Sequence, residues 1–196
     1  MTDAPTGPQP SLGKEKGFVL MPHPDFPSHA IQSVIVDVEE VGSRGLLRLT
    51  YRVANAVDAV LWPLPGRGGR ADRLWEHSCF EAFVGRAGET GYTEVNLASS
   101  GQWAVYDFDG YRAGMRDVAD MSFALGVGFG RDGIELSAGT HLPILCHGRE
   151  WELGLSAIIE AKDGTKSYWA LTHAPGPPDF HNRDCFTARL AAPKRP

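Results

Sequence analysis

Strict alternation of apolar and polar residues, repeated along most of the chain and interrupted at short intervals by Gly, Pro, Asn and Asp, leaves little choice of secondary structure. Strand side chains point alternately to two faces, so an alternating run reads as a strand with one buried face. Val34, Val36 and Val38 alternate within Ile31–Glu40, and Leu47, Leu49, Tyr51 and Val53 within Gly45–Val53. These two runs read as a hairpin joined through Val41–Arg44. Phe18–Met21, Val57–Trp62, Met121–Phe129, Ile134–Leu142, Trp151–Glu160, Ser167–His173 and Cys185–Leu190 continue the pattern. With no long helical period anywhere, the expectation is an all-β chain: an antiparallel β-sandwich, jelly-roll-like, of about ten strands.

The stretch Leu74–Met115 carries three such runs in succession: Ser78–Val84, Tyr92–Leu97 and Gln102–Phe108. Placing Phe80, Ala82 and Val84 beside Thr93, Val95 and Leu97, and beside Ala104, Tyr106 and Phe108, gives one core face. The opposite face then gathers Cys79, Glu81 and Phe83, Tyr92, Glu94 and Asn96, and Trp103, Val105 and Asp107. With connections at Arg86–Gly91 and Ala98–Gly101, Glu81, Asn96 and Trp103 fall in one row across three strands. A carboxylate, an amide and an indole in a row suit a polar ring-shaped ligand, which needs hydrogen-bonding groups for orientation and an aromatic face for stacking. The competing reading is the solvated side of an antiparallel sheet. Trp75, His77, Asp179 and His181 are placed at the rim of this candidate ligand-binding face.

Length and charge narrow the rest. The 196 residues suffice for one sizeable core, so a single domain over residues 17–190 is expected, with a disordered tail at 1–16 and a short tail at 191–196. A net charge of −5 gives no electrostatic footprint for nucleic acid or an anionic membrane. Three cysteines, Cys79, Cys146 and Cys185, fit neither a disulfide framework nor a zinc motif. The N-terminal residues lack the basic and apolar regions of a secretory signal, and a cytoplasmic location is expected.

No local signature marks an activated nucleophile, so the three thiols read as structural and no catalytic residue is assigned. Glu81 and Glu94 form a carboxylate pair of the kind glycosidases use, although solvated or hydrogen-bonded pairs are commoner. No metal site is assigned: Glu76 with His77, and His173 with Asp179, His181 and Asp184, have no specific ligand spacing. A calcium site built from carboxylates and carbonyls in these loops stays open, without an EF-hand-like run to mark it. Arg67, Arg70 and Arg73 lie in a Gly-rich loop that matches no nucleotide fingerprint; they are a candidate anion site, although such a loop is more often simply solvated. Of the tryptophans, Trp151 and Trp169 lie at core positions, whereas Trp62, Trp75 and Trp103 are better placed for stacking.

The segments LWEHSCFEAFVG, GYTEVNLASSGQWAVYDFDGYRAGM and LGLSAIIEAKDGTKSYWALTHAPGPPDFHNRDCF, in that order, resemble the bacterial DOMON-like family, related to type 9 carbohydrate-binding modules. The similarity runs from about Phe18 to Leu190. It implies a β-sandwich that binds a sugar or haem rather than performing catalysis. In carbohydrate-binding relatives tryptophans sandwich a terminal sugar and polar side chains hold its hydroxyls, roles open here to Trp103, Glu81 and Asn96, with Trp75 as a second platform. Haem-binding relatives use Met and His as axial ligands, for which Met115, Met121, His77 and His173 are available. The leading expectation is a small-molecule ligand, foremost a carbohydrate; a haem protein and a sugar-processing enzyme acting through Glu81 and His77 are the alternatives.

Overall fold

A computed structural model of the chain describes residues 16–28, 30–41, 46–54, 58–141 and 150–190. Among these residues the regular structure is β-strand and short 3-10 turns, with no α-helix. The strands are β1 (Lys16–Pro22), β2 (Ser33–Val41), β3 (Leu46–Ala54), β4 (Gly69–Arg70), β5 (Cys79–Arg86), β6 (Tyr92–Leu97) and β7 (Gln102–Phe108). They continue as β8 (Arg116–Asp117), β9 (Ala124–Gly130), β10 (Gly133–His141), β11 (Trp151–Glu160), β12 (Lys166–Ala170) and β13 (Ala188–Leu190). Hydrogen bonds join eleven of them in the order β4-β7-β6-β5-β11-β12-β1-β2-β3-β10-β9, with β8 added to β7 and β13 to β11.

One strand holds the two halves of this path together. Lys16–Leu20 of β1 pairs with β2, whereas Met21 and Pro22 pair with β12. The sheet curls, and its inner surfaces enclose one core. Val36, Tyr51 and Leu136 from the β2-β3-β10 half share it with Phe80, Val95 and Leu155 from the β5-β6-β11 half. Tyr51 Oη donates across the core to the Glu81 carbonyl at 2.6 Å, and its ring lies 4.9 Å from that of Phe80. Each large apolar side chain buried here contributes roughly 1.5–3 kcal/mol. The alternation read in the sequence accounts for this core, including Trp151 and Trp169, which are both buried.

Several expectations need correction. The sheet is mixed rather than antiparallel, because β4 runs parallel to β7 through Gly69–Gln102 and Arg70–Trp103. Gly68 makes that approach possible: a Cβ there would lie 3.0 Å from the Gly101 carbonyl oxygen. The expected strand at Val57–Trp62 is, over its described part, a single bridge from Val60 to Ala161. Pro63 and Pro65 then keep the chain out of a ladder, and Trp62 stacks on Phe80 inside the core. In Met121–Phe129 the strand begins only at Ala124, and Phe129 is exposed. The run at Ser167–His173 stops pairing at Ala170, and the one at Cys185–Leu190 opens with a 3-10 turn, Arg183–Cys185. The tails at 1–15 and 191–196, most of the Val41–Arg44 connection, Val57, Leu142, Cys146 and His147 lie outside the described residues.

Candidate functional site

The site is built on the outer face of β5, β6 and β7, where register decides which side chains meet. Glu81 stands opposite Asn96, as the expected loop between β5 and β6 requires. The second hairpin differs by one residue. Ala98 N–H donates to the Gln102 carbonyl and Gly101 N–H to that of Ala98, so the loop is Ser99–Gly101, with Gly101 at φ 85°. This is a three-residue hairpin loop closing on a left-handed glycine. Asn96 therefore faces Ala104, and Leu97 faces Trp103. A one-residue slip turns a whole strand over. Trp103 and Val105 join Phe80 and Val95 in the main core, while Ala104, Tyr106 and Phe108 share the outer face with Glu81, Glu94 and Asn96.

That outer face is not solvated. Every residue of β6 is buried, and so is β5 as far as Gly85. The cover comes from residues 174–186, whose Phe180, Cys185 and Phe186 pack into a second cluster with Phe83, Tyr92 and Phe108. Small residues beneath let the segment lie close. A Cβ on Gly154 would meet the Phe186 ring at 3.0 Å, and one on Gly85 would strike the Arg183 guanidinium. Arg183 in turn donates to the Arg86 carbonyl at 3.0 Å and to Glu152 at 2.5 Å.

Between sheet and cover is a pocket of about 360 Å³. Its deep polar groups are Glu81 and Glu94, 3% and 5% exposed. Trp75, Phe108, Tyr168 and Phe180 supply aromatic walls, and Arg112 and Met115 line it from exposed positions. Ser156 Oγ donates to Glu81 Oε2 at 3.1 Å. Asn96 Nδ2 donates to Glu94 Oε1 at 2.7 Å, while Cys79 Sγ donates to Asn96 Oδ1 at 3.4 Å and so fixes the amide's orientation. Burial, reinforced by Glu94, pushes the Glu81 carboxyl up to about 8, against the Ser156 hydrogen bond and the Arg112 charge. Burial also raises Glu94, opposed by Asn96 and Arg112. The pair therefore retains a proton near neutral pH.

The remaining polar groups are held by the cover and by a turn after β7. Tyr92 Oη accepts the Arg112 backbone N–H at 3.2 Å and lies 2.8 Å from His181 Nδ1. When the tyrosine proton is donated to Nδ1, the imidazole proton sits on Nε2, 3.8 Å from Glu94 Oε2. Burial, together with the Arg112 charge, pushes His181 down to about 4, so it is neutral at ordinary pH. Arg112 has a φ of 51°, a left-handed conformation that costs a non-glycine residue roughly 1–2 kcal/mol. Its guanidinium donates to Asp179 Oδ1 at 2.9 Å, and Tyr111 Oη donates to Oδ2 at 2.9 Å. Against the upward push of partial burial, these two bonds hold the Asp179 carboxyl below its ordinary value.

Of the seven residues singled out in the sequence, Trp75, Glu81 and His181 line the pocket. Asp179 stands beside it as the partner of Arg112, and Asn96 lies beneath it as the group that orients Glu94. His77 does not reach it: Nδ1 meets Glu160 Oε2 at 2.7 Å, tying the Leu74–Glu76 turn that carries Trp75 to the end of β11. Lys166 Nζ adds a bond to the Glu76 carbonyl at 2.5 Å. Trp103 lies on the opposite face, near Phe123. The anion-loop reading also changes, since Arg70 pairs with Asp72 and Asp117 and Arg73 with Glu76. His173, grouped in the sequence with Asp179 and His181, bonds instead to the Met21 carbonyl. Sequence reasoning missed Arg112, Phe108, Tyr168 and Phe180. Phe108 was assigned to the wrong face, and nothing in the spacing brings a turn after β7 against a proline-rich segment some 65 residues later.

No family model matches the chain, and no curated protein does. Among solved structures it is similar to a proposed carbohydrate-binding protein from Bacteroides uniformis ATCC 8492. The TM-score is 0.57 at 17% identity, over 91% of this chain and 85% of that one. The two chains share a fold. A likeness at this identity carries the architecture and leaves the chemistry to the pocket itself.

Proposed function

We propose that this chain is a non-catalytic binding module that takes a sugar, or a polar ring-shaped molecule of similar size, in the pocket over β5 and β6. One observation carries the reading: a buried acid pair, Glu81 and Glu94, faces a pocket walled by Trp75, Phe108, Tyr168 and Phe180. Carboxylates accept hydrogen bonds from hydroxyls, and aromatic faces cover the apolar C–H surface of a sugar ring. The volume, about 360 Å³, is at the small end for ligand pockets and suits one or two rings. The shared fold with a proposed carbohydrate-binding protein supports the reading, as does the sequence resemblance to the DOMON-like family, related to type 9 carbohydrate-binding modules.

A thermal-shift panel of mono- and disaccharides tests this. A ligand at about 100 times its dissociation constant stabilises by about 2.7 kcal/mol, several degrees for a chain of this size. Haemin belongs in the panel, although His77 and His173 are already engaged by Glu160 and by the Met21 carbonyl. Hydrolysis of aryl glycosides, lost in Glu81→Gln, would replace binding with catalysis. An absence of any sugar-induced shift would count against the proposal.

A further inference from the structure

We infer that this pocket prefers a sugar carrying a protonated primary amine to its neutral counterpart, because its two buried glutamates face the ligand space without a cation of their own. The inference rests on the sugar-pocket reading and adds the charge of the ligand to it. Glu81 receives one side-chain hydrogen bond, from Ser156 to Oε2, and Oε1 has no donor among the described residues. Glu94 Oε1 is occupied by Asn96, while among the described residues Oε2 has only His181 Nε2 at 3.8 Å, beyond hydrogen-bond range. Among the same residues no cation is bonded to either carboxylate, although the Arg112 charge acts on both. Neutral His181 contributes no charge, and Arg112, which lines the same pocket, is already bonded to Asp179.

An ammonium group meets all three needs of this arrangement. It brings a positive charge to the pair, it carries N–H donors for Glu81 Oε1 and Glu94 Oε2, and it sits among aromatic rings whose faces attract cations. On binding, it displaces the proton that the empty pair retains. A neutral sugar leaves that proton in place, so its hydroxyls meet at most one ionised carboxylate and bring no charge to balance it. Amidation of the amine removes the charge and should remove the preference with it.

Isothermal titration of the full chain with glucosamine, glucose and N-acetylglucosamine, and with the corresponding galactose series, tests this at about pH 6.5, where the free amines are protonated. The expected result is at least about tenfold tighter binding of an amino sugar than of its neutral and acetylated counterparts. The binding heat should also vary with buffer ionisation enthalpy, as about one proton leaves the pair. Glu81→Gln and Glu94→Gln should each reduce the preference to within about threefold. Should either variant fail to fold, the wild-type comparison decides alone. Neutral sugars binding as tightly as amino sugars would overturn the inference and leave the sugar pocket standing. Binding of no sugar in either class would overturn both.

Discussion

Glu81 and His181 share one pocket, and the same burial moves their acid–base equilibria in opposite directions. Glu81 titrates at about 8 folded and near 4.3 unfolded, so between those values the folded state holds the extra proton and stability falls as pH rises. His181 titrates at about 4 folded and near 6.5 unfolded, so between those values the unfolded state holds the extra proton and stability rises with pH. The two slopes oppose each other up to about pH 6.5, and above it only the decline remains. Glu94, also raised, adds to the decline, and His173, also lowered, adds to the rise. Melting curves should change little between about pH 5 and 6.5, where the slopes offset, and then lose about 2 kcal/mol, some 4–8 °C, by pH 8. In Glu81→Gln, which keeps an acceptor for Ser156, most of that loss should vanish; an unchanged profile would mean the carboxyl is not held neutral. The sequence made legible the pairing of Glu81 with Asn96, the Glu81–Glu94 carboxylate pair and His181 near its face, but not the burial that sets their protonation. Period two put Glu94 on the same face, but the cover that buries both acids lies far along the chain.

At the level of elements, alternation located the long strands because each has one apolar and one mixed face, as in β3 with its buried Leu47, Leu49, Tyr51 and Val53. It failed in β7, where Trp103 and Val105 are as apolar as Ala104, Tyr106 and Phe108, and either set could face the core. Loop length decided, and four residues were assumed where three close the hairpin on Gly101. The two-residue strands β4 and β8 carry too little pattern to be seen. The 174–186 segment, with its three prolines, read as irregular structure, and it is the element that completes the pocket. Phe186 anchors it against Phe83, Tyr92 and the Arg183 guanidinium. Phe186→Ala should cost about 3–4 kcal/mol in chemical denaturation. It should also weaken sugar binding, because Phe180 and His181 lose their seat. Lost stability with unchanged affinity would show that the segment covers the sheet without shaping the site.

Across the whole molecule, β1 makes one core out of two half-sheets. Leu20, 1% exposed, sits in the part of β1 that pairs with β2, one residue before the chain passes to β12. Leu20→Ala should cost about 3 kcal/mol and lower the melting temperature by roughly 6–12 °C. Because both halves share side chains in one core, near- and far-ultraviolet circular dichroism should report that loss as a single coincident transition. Two separated transitions would divide the chain at β1. The same curled sheet sets the site, since its inner face is spent on the core and only its outer face, with Glu81 and Glu94, remains for a ligand. The most direct test compares the dissociation constant of one bound sugar for wild type, Trp75→Ala and Trp103→Phe. Binding should be lost, or weakened at least about tenfold, in Trp75→Ala, and should stay within about twofold of wild type in Trp103→Phe, whose ring faces the core. Loss of binding in Trp103→Phe with Trp75→Ala unaffected would place the ligand on the other face of the sheet and contradict the site described.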